Sequence, residues 1–253
     1  MKPETCNFFP VPDLFKSDHL LCIQPHPDDL EIGAGATVAK LNQAGVKTTW
    51  LTVTDGSAGT YDPTVNRNEL ARIRRSETEE AASLLGTADM IWLGFADGGT
   101  LSYEKARSEI TAVIRKLKPD AVLVCDPWLP YEAHSDHIRT GLAAAEAAFL
   151  SHMPYFCPEN LTGGLEPHKV EAVAFYYTAY PNTYIDVSDY WDQKLAAIGC
   201  HVSQFPPEKG KLLKDYLTAR AREKAHERGC EMVETLKVLS TNHLHIFEAA
   251  WQC

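Results

Sequence analysis

The sequence predicts an α/β fold: three layers, with a Rossmann-like, mostly parallel sheet and helices on both faces. Three observations point there. Short β-rich runs alternate with helical patterns at the spacing of strand–helix–strand units. Polar clusters fall where the strand-like runs end, which is where open parallel sheets hold ligands. The 253 residues are 45% hydrophobic and 23% charged, which supplies a large buried core.

Taken in order, the apolar run Leu20 to Gln24 reads as a strand, Gly35 to Ala44 as a helix, and the Thr- and Val-rich run Thr48 to Thr54 as a second strand. A long charged helix follows near Asn68 to Leu85 and a strand at Met90 to Leu93. Tyr103 to Leu117 reads as a helix ended by Pro119, Ala121 to Cys125 as a strand, and His137 to Leu150 as a helix. Beyond Pro154 a Pro- and Gly-rich linker (Pro158 to Pro167) leads to a strand at Ala172 to Tyr177 and helices at Asp189 to His201 and Lys209 to Arg228. One domain over 1–253 is expected, with 1–18 as an N-terminal extension and 155–253 completing the site.

The formal net charge of -10 and pI of about 5.5 provide no basic field for a nucleic-acid backbone or an anionic membrane. The apolar stretch Gly141 to Leu150 is too short to span a bilayer and is broken by Glu146, and MKPETCNFF lacks the apolar segment of a signal peptide. A soluble cytoplasmic protein is expected. The seven cysteines form no C-x-x-C pair, and Cys22 and Cys125 fall in apolar runs, so neither a disulfide framework nor a cysteine zinc site is expected.

Three constellations compete for the crevice. Gly33 to Thr37 (GAGAT), with Asp55 downstream, has two glycines of a dinucleotide fingerprint, but they do not come directly off the strand and Val38 takes the third glycine position. Close packing explains them better. Asp55 to Gly59 (DGSAG) imitates a nucleophile elbow, yet Asp55 stands where glycine is required, and a loop lining the crevice is the better reading.

The third joins His26-x-x-Asp29 to His134-x-x-His137, clusters that the sheet brings to neighbouring strand ends. Two imidazoles and one carboxylate satisfy a hydrolytic zinc site with an open position, leaving a carboxylate to take a proton and an imidazole for the oxyanion or the leaving amine. Asp136 is placed to orient a histidine.

HPDDLEIGAG, R-R-x-E at Arg74 to Glu77, HSDH at His134 to His137, and YIDVSDYWDQKLAAIGCHVSQF at Tyr184 to Phe205 resemble the zinc-dependent N-acetylglucosaminyl deacetylases, the LmbE-like or PIG-L family. DPWLPYEAHSDH and GLEPHKVEAVAFYYTAYPN are most similar to its diacetylchitobiose deacetylase branch. The resemblance implies one Zn2+ on His26, Asp29 and His137, Asp28 as general base, His134 near the oxyanion or leaving amine, and Asp136 orienting His134. It implies substrate contacts from Arg74 and His201, with Asp55 grouped beside them in the crevice. An ion pair from Arg74 to Glu77 or Glu79 is the bland alternative. A late histidine of that branch, from the same chain or lent by a neighbouring subunit, maps to His243, with His245 close by, and a trimer or hexamer is implied. A tyrosine that polarises the carbonyl in some relatives is replaced here by Glu132, and Ser135 stands for a proline.

The expected activity is hydrolysis of a 2-acetamido-sugar to free amine and acetate, with a small-molecule amino sugar as partner. The rivals are a thiol-conjugate amidase and a sugar-conjugate binding protein without turnover.

Overall fold

A computed structural model describes residues 3–253; the first two residues of the N-terminal extension lie outside it. The chain runs β1 (His19–Gln24), α1 (Asp29–Gln43), β2 (Lys47–Thr54), α2 (Arg67–Leu84), β3 (Asp89–Phe95), α3 (Tyr103–Leu117), β4 (Ala121–Cys125), α4 (Ser135–Leu150), β5 (Ala172–Tyr176), β6 (Thr183–Asp186), α5 (Trp191–Gly199), α6 (Pro207–Ala225) and β7 (Val233–Ser240). Short 3-10 turns complete it. The strands lie in the order β3-β2-β1-β4-β5-β7-β6. β1 to β5 pair in parallel, while β7 runs antiparallel to both β5 and β6.

This order explains the layers. From β1 to β3 the chain steps outward in one direction, then returns past β1 to β4 and β5. Right-handed crossovers therefore place α1 and α2 on one face and α3 and α4 on the other. α1 and α2 both pack on α5, and α3 packs on α4. With both faces covered, β4 and β5 are buried throughout and β1 from Leu20 onward, hence their unbroken apolar runs.

The forecast α/β architecture stands, with three differences. α1 starts at Asp29 rather than Gly35, bends at Ala34 (φ -147°), and so brings its N-terminus to the end of β1. Gly33, beside the bend, packs flat on a core aromatic: a Cβ there would lie 2.3 Å from Tyr176 Cδ2. That is the close packing the glycines were read for. β6 and β7 escaped notice because buried charges interrupt β7; Glu234 pairs with buried Lys194 and accepts the Thr37 amide at 2.7 Å.

The third difference is a correction. Cys6 and Cys253 form a disulfide, with Cα atoms 5.2 Å apart. A pairing across almost the whole chain has no local spacing signature, since only the fold brings its ends together. The other five cysteines are free. Among the described residues no helix is long and apolar enough to cross a membrane.

Replacing Gly33 by alanine should push the methyl into the Tyr176 ring and lower stability by about 1–3 kcal/mol. Thermal unfolding checks it, and an unchanged melting temperature would contradict the packing.

Candidate active site

The strand order reverses between β1 and β4, which leaves a crevice beyond their carboxyl ends. β1 delivers His26 to Asp29 there, and the loop after β4 delivers His134 and His137 at the start of α4. They line a cleft of about 510 Å³ together with Arg74 and Asp97.

The backbone aims these groups. Asp28 has φ 114°, in the left-handed region, and makes no side-chain cap bond to α1. Such a conformation costs about 1–3 kcal/mol and persists only where its surroundings enforce it. Here Arg74 enforces it, donating from Nη2 to Asp28 Oδ2 at 3.0 Å and to the Pro27 carbonyl at 2.5 Å, and from Nη1 to the Gly56 carbonyl at 2.9 Å. Gly56 and Gly59 leave room for that guanidinium, since a Cβ on either would come within 2.8 Å of Nη1. The DGSAG segment is thus a loop wrapped on Arg74.

Asp29 joins the two histidines. Its Oδ2 accepts the His26 amide at 2.9 Å and meets His26 Nδ1 at 3.2 Å, while its Oδ1 meets His137 Nε2 at 3.3 Å. The other edge of His26 faces acids, with Nε2 at 3.3 Å from Asp97 Oδ1 and 3.5 Å from Asp136 Oδ2. His134 completes a triangle of rings, its centroid 4.5 Å from that of His26 and 4.9 Å from that of His137.

Burial and charge set the proton affinities. Burial raises the Asp28 carboxyl above its ordinary range, and Arg74 opposes that rise. Burial also works against ionisation of Asp29, but His137 and His26 outweigh it and hold the carboxyl low. His134 is lowered by burial and then by the charges of His26 and His137.

The donor set suits a divalent cation. Ring nitrogens of His26, His134 and His137 lie within 4.8 Å of one another, as do donor atoms of His26, Asp97 and Asp136. His26 Nε2, Asp136 Oδ1 and His137 Nδ1 are buried without a hydrogen bond. A polar, partly unsatisfied nest of nitrogen and carboxylate donors fits zinc or a similar ion. Asp29 spans His26 and His137 with a different oxygen for each.

The other residues singled out in the sequence divide. Asp136 accepts the Gly99 amide at 3.1 Å and directs its carboxylate to His26; what His134 receives from it is a backbone N–H, at 3.3 Å to Nδ1. The ring that Asp136 orients is therefore His26, a correction. Arg74 reaches Asp28, whereas Glu77 accepts Ser203 and Glu79 pairs with Arg75. His201 does not line the cleft: it is fully buried, 2.8 Å from Glu31 Oε1. Asp55 does not line it either, its Oδ1 being taken by the amides of Ser57 and Asp97 at 2.9 and 3.1 Å. His243 is buried at the opposite end of β5, edge-on to Phe9 and Phe247, and borders a separate pocket. Direct substrate contact by His201 and Asp55, and a place for His243 in its own chain's cleft, are accordingly withdrawn. Sequence reading missed the part of Asp97, whose only signal was its position after a strand, and of Glu132, which touches both histidines of the β4 loop.

Residues 21–148 match the family described as GlcNAc-PI de-N-acetylase (PIG-L). The chain is 41% identical over 227 residues to a diacetylchitobiose deacetylase of Thermococcus kodakarensis, covering 90% of this chain and 85% of that one. It belongs to the PIG-L deacetylase family. Membership makes it a hydrolase of linear amide bonds. Among solved structures, N,N'-diacetylchitobiose deacetylase from Pyrococcus horikoshii, complexed with its inhibitor, superposes with a TM-score of 0.90 at 38% identity, covering 97% of this chain and 92% of that one. The 4-carboxy-2-hydroxymuconate hydratase GalB of Pseudomonas putida, at TM-score 0.74 and 20% identity over 88% of this chain and 96% of that one, shares the fold alone. Within one fold the site decides the chemistry.

Because Arg74 holds the Asp28 carboxyl down against burial, Arg74→Met should move the acid limb of the kcat/KM profile to higher pH. At neutral pH the rate should fall about tenfold or more, the usual scale for losing a buried charged hydrogen bond. An acid limb that stays in place would show that Arg74 does not govern Asp28.

Proposed function

We propose that the protein is a zinc-dependent N-deacetylase that converts the acetamido group of a small N-acetylglucosamine-containing molecule, of the diacetylchitobiose class, to a free amine and acetate. The observation that carries this reading is Asp28, buried and pinned by Arg74, beside the His26, Asp29 and His137 group in one cleft. The substrate class is supported by the likeness to diacetylchitobiose deacetylases.

His26, Asp29 and His137 would hold the cation, which when bound acidifies a water molecule and polarises the amide carbonyl. Asp28 accepts the water's proton as its oxygen attacks the carbonyl carbon, and its raised basicity suits it to do so near neutral pH. Asp136 and Asp97 keep a proton on His26 Nε2, turning Nδ1 toward Asp29. The Nδ1 of His134 accepts the Asp136 amide, so the neutral ring carries its proton on Nε2. That N–H is a donor to the carbonyl oxygen as negative charge develops. Asp28 then delivers its proton to the leaving nitrogen, the C–N bond breaks, and acetate and amine part.

Assembly into a trimer or hexamer and cytoplasmic placement belong to the same reading. A histidine lent across an interface would be His245, which is exposed against Phe149, because His243 is buried.

Incubation with N,N'-diacetylchitobiose, followed by mass spectrometry, should show loss of an acetyl group that stops on chelation and returns with zinc. Asp28→Asn should slow turnover by about 10²- to 10⁴-fold, the usual contribution of a proton-transfer group. If the purified protein carries no stoichiometric metal and Asp28→Asn turns over normally, the proposal fails.

A further inference from the structure

Glu132 lies on the approach to α4, just after Tyr131, whose φ of 68° is left-handed. Its carboxylate divides between two tasks. Oε1 accepts the His134 backbone N–H at 2.7 Å, at the N-cap of α4. Oε2 stands 3.4 Å from His137 Nδ1. Across the ring, His137 Nε2 faces Asp29 Oδ1 at 3.3 Å. Tyr177 lies parallel to the same ring, at 4° and 6.3 Å between centroids, and its hydroxyl is tied to the Asp29 carbonyl at 3.0 Å.

A neutral imidazole carries one proton, and only the nitrogen without it can offer a lone pair to a cation. His137 Nδ1 is buried without a hydrogen bond, and Glu132 is the only carboxylate paired with it among the described residues. We propose that Glu132 is a positioning residue: it draws the proton of His137 to Nδ1, aims the Nε2 lone pair at the centre shared with Asp29, and ties that choice to the start of α4. The inference rests on the proposed ion site and goes beyond it by naming what prepares one of its ligands.

Both tasks need an accepting oxygen, and a glutamine has one. In Glu132→Gln that oxygen serves the His134 amide and keeps α4 anchored, while the amide NH₂ turns to His137 Nδ1 and favours the wrong tautomer. Metal affinity should therefore fall about 10- to 100-fold, the range for losing such an outer partner, with the melting temperature of the metal-free protein little changed. Glu132→Ala should lose both.

The test titrates the metal-free protein with zinc against a chromophoric chelator, alongside histidine ¹⁵N correlation spectra of the zinc-loaded wild type. Zinc held by His137 Nε2 with a proton on Nδ1, and weakened binding in Glu132→Gln, would support the proposal. Wild-type and Glu132→Gln affinities within threefold, or a His137 proton on Nε2, would overturn it. A wild type that binds no zinc would instead remove the underlying ion site.

Discussion

The Asp29 carboxylate, one oxygen at His26 and the other at His137, is the contact on which the cleft depends. It joins loops that are remote in sequence and adjacent in space only because β1 and β4 pair in parallel at the reversal of strand order. Taking a carboxylate out of water costs several kcal/mol unless partners replace the lost hydration. The His26 amide and the two rings supply that replacement, and the N-terminus of α1, where Asp29 is the first residue, adds a favourable dipole.

Charge crowding follows from this placement. Asp28, Asp29, Asp97 and Asp136 are all buried around three imidazoles, and like charges this close cannot all remain ionised without cations or protons among them. The fold separates their roles by environment. Asp29, between the rings, stays ionised, while burial makes Asp28 bind a proton more readily, against the opposing charge of Arg74. Beneath α1, His201 with Glu31 and Lys194 with Glu234 form two further buried pairs, and Lys194 also donates to the Ile32 carbonyl at 2.7 Å. They hold the helix that carries the cleft without meeting a ligand.

Much of this was legible in the sequence because it is local. The α3 and β4 boundaries, the strand ends, and the H-x-x-D and H-x-x-H clusters come from periodicity and spacing within a few residues. What failed was tertiary. The start of α1 was hidden by glycines that look like a loop and in fact permit packing on Tyr176. β7 was hidden by Glu234 and Lys237, charged residues that read as surface and are buried. His201 reads as a ligand contact from the family resemblance and Asp55 from its place at a strand end, yet burial and backbone amides claim them. The Cys6–Cys253 bridge and the turn of Asp136 toward His26 depend on three-dimensional neighbours that no local pattern encodes.

In the proposed function the two loops share one cation through Asp29. Crystals of the zinc-loaded protein, with anomalous differences collected at the zinc edge, test it directly. One peak should lie about 2.0–2.2 Å from a nitrogen of His26, a nitrogen of His137 and an Asp29 oxygen, as zinc requires of such ligands. A peak held by His26, Asp97 and Asp136, out of reach of His137, would contradict it.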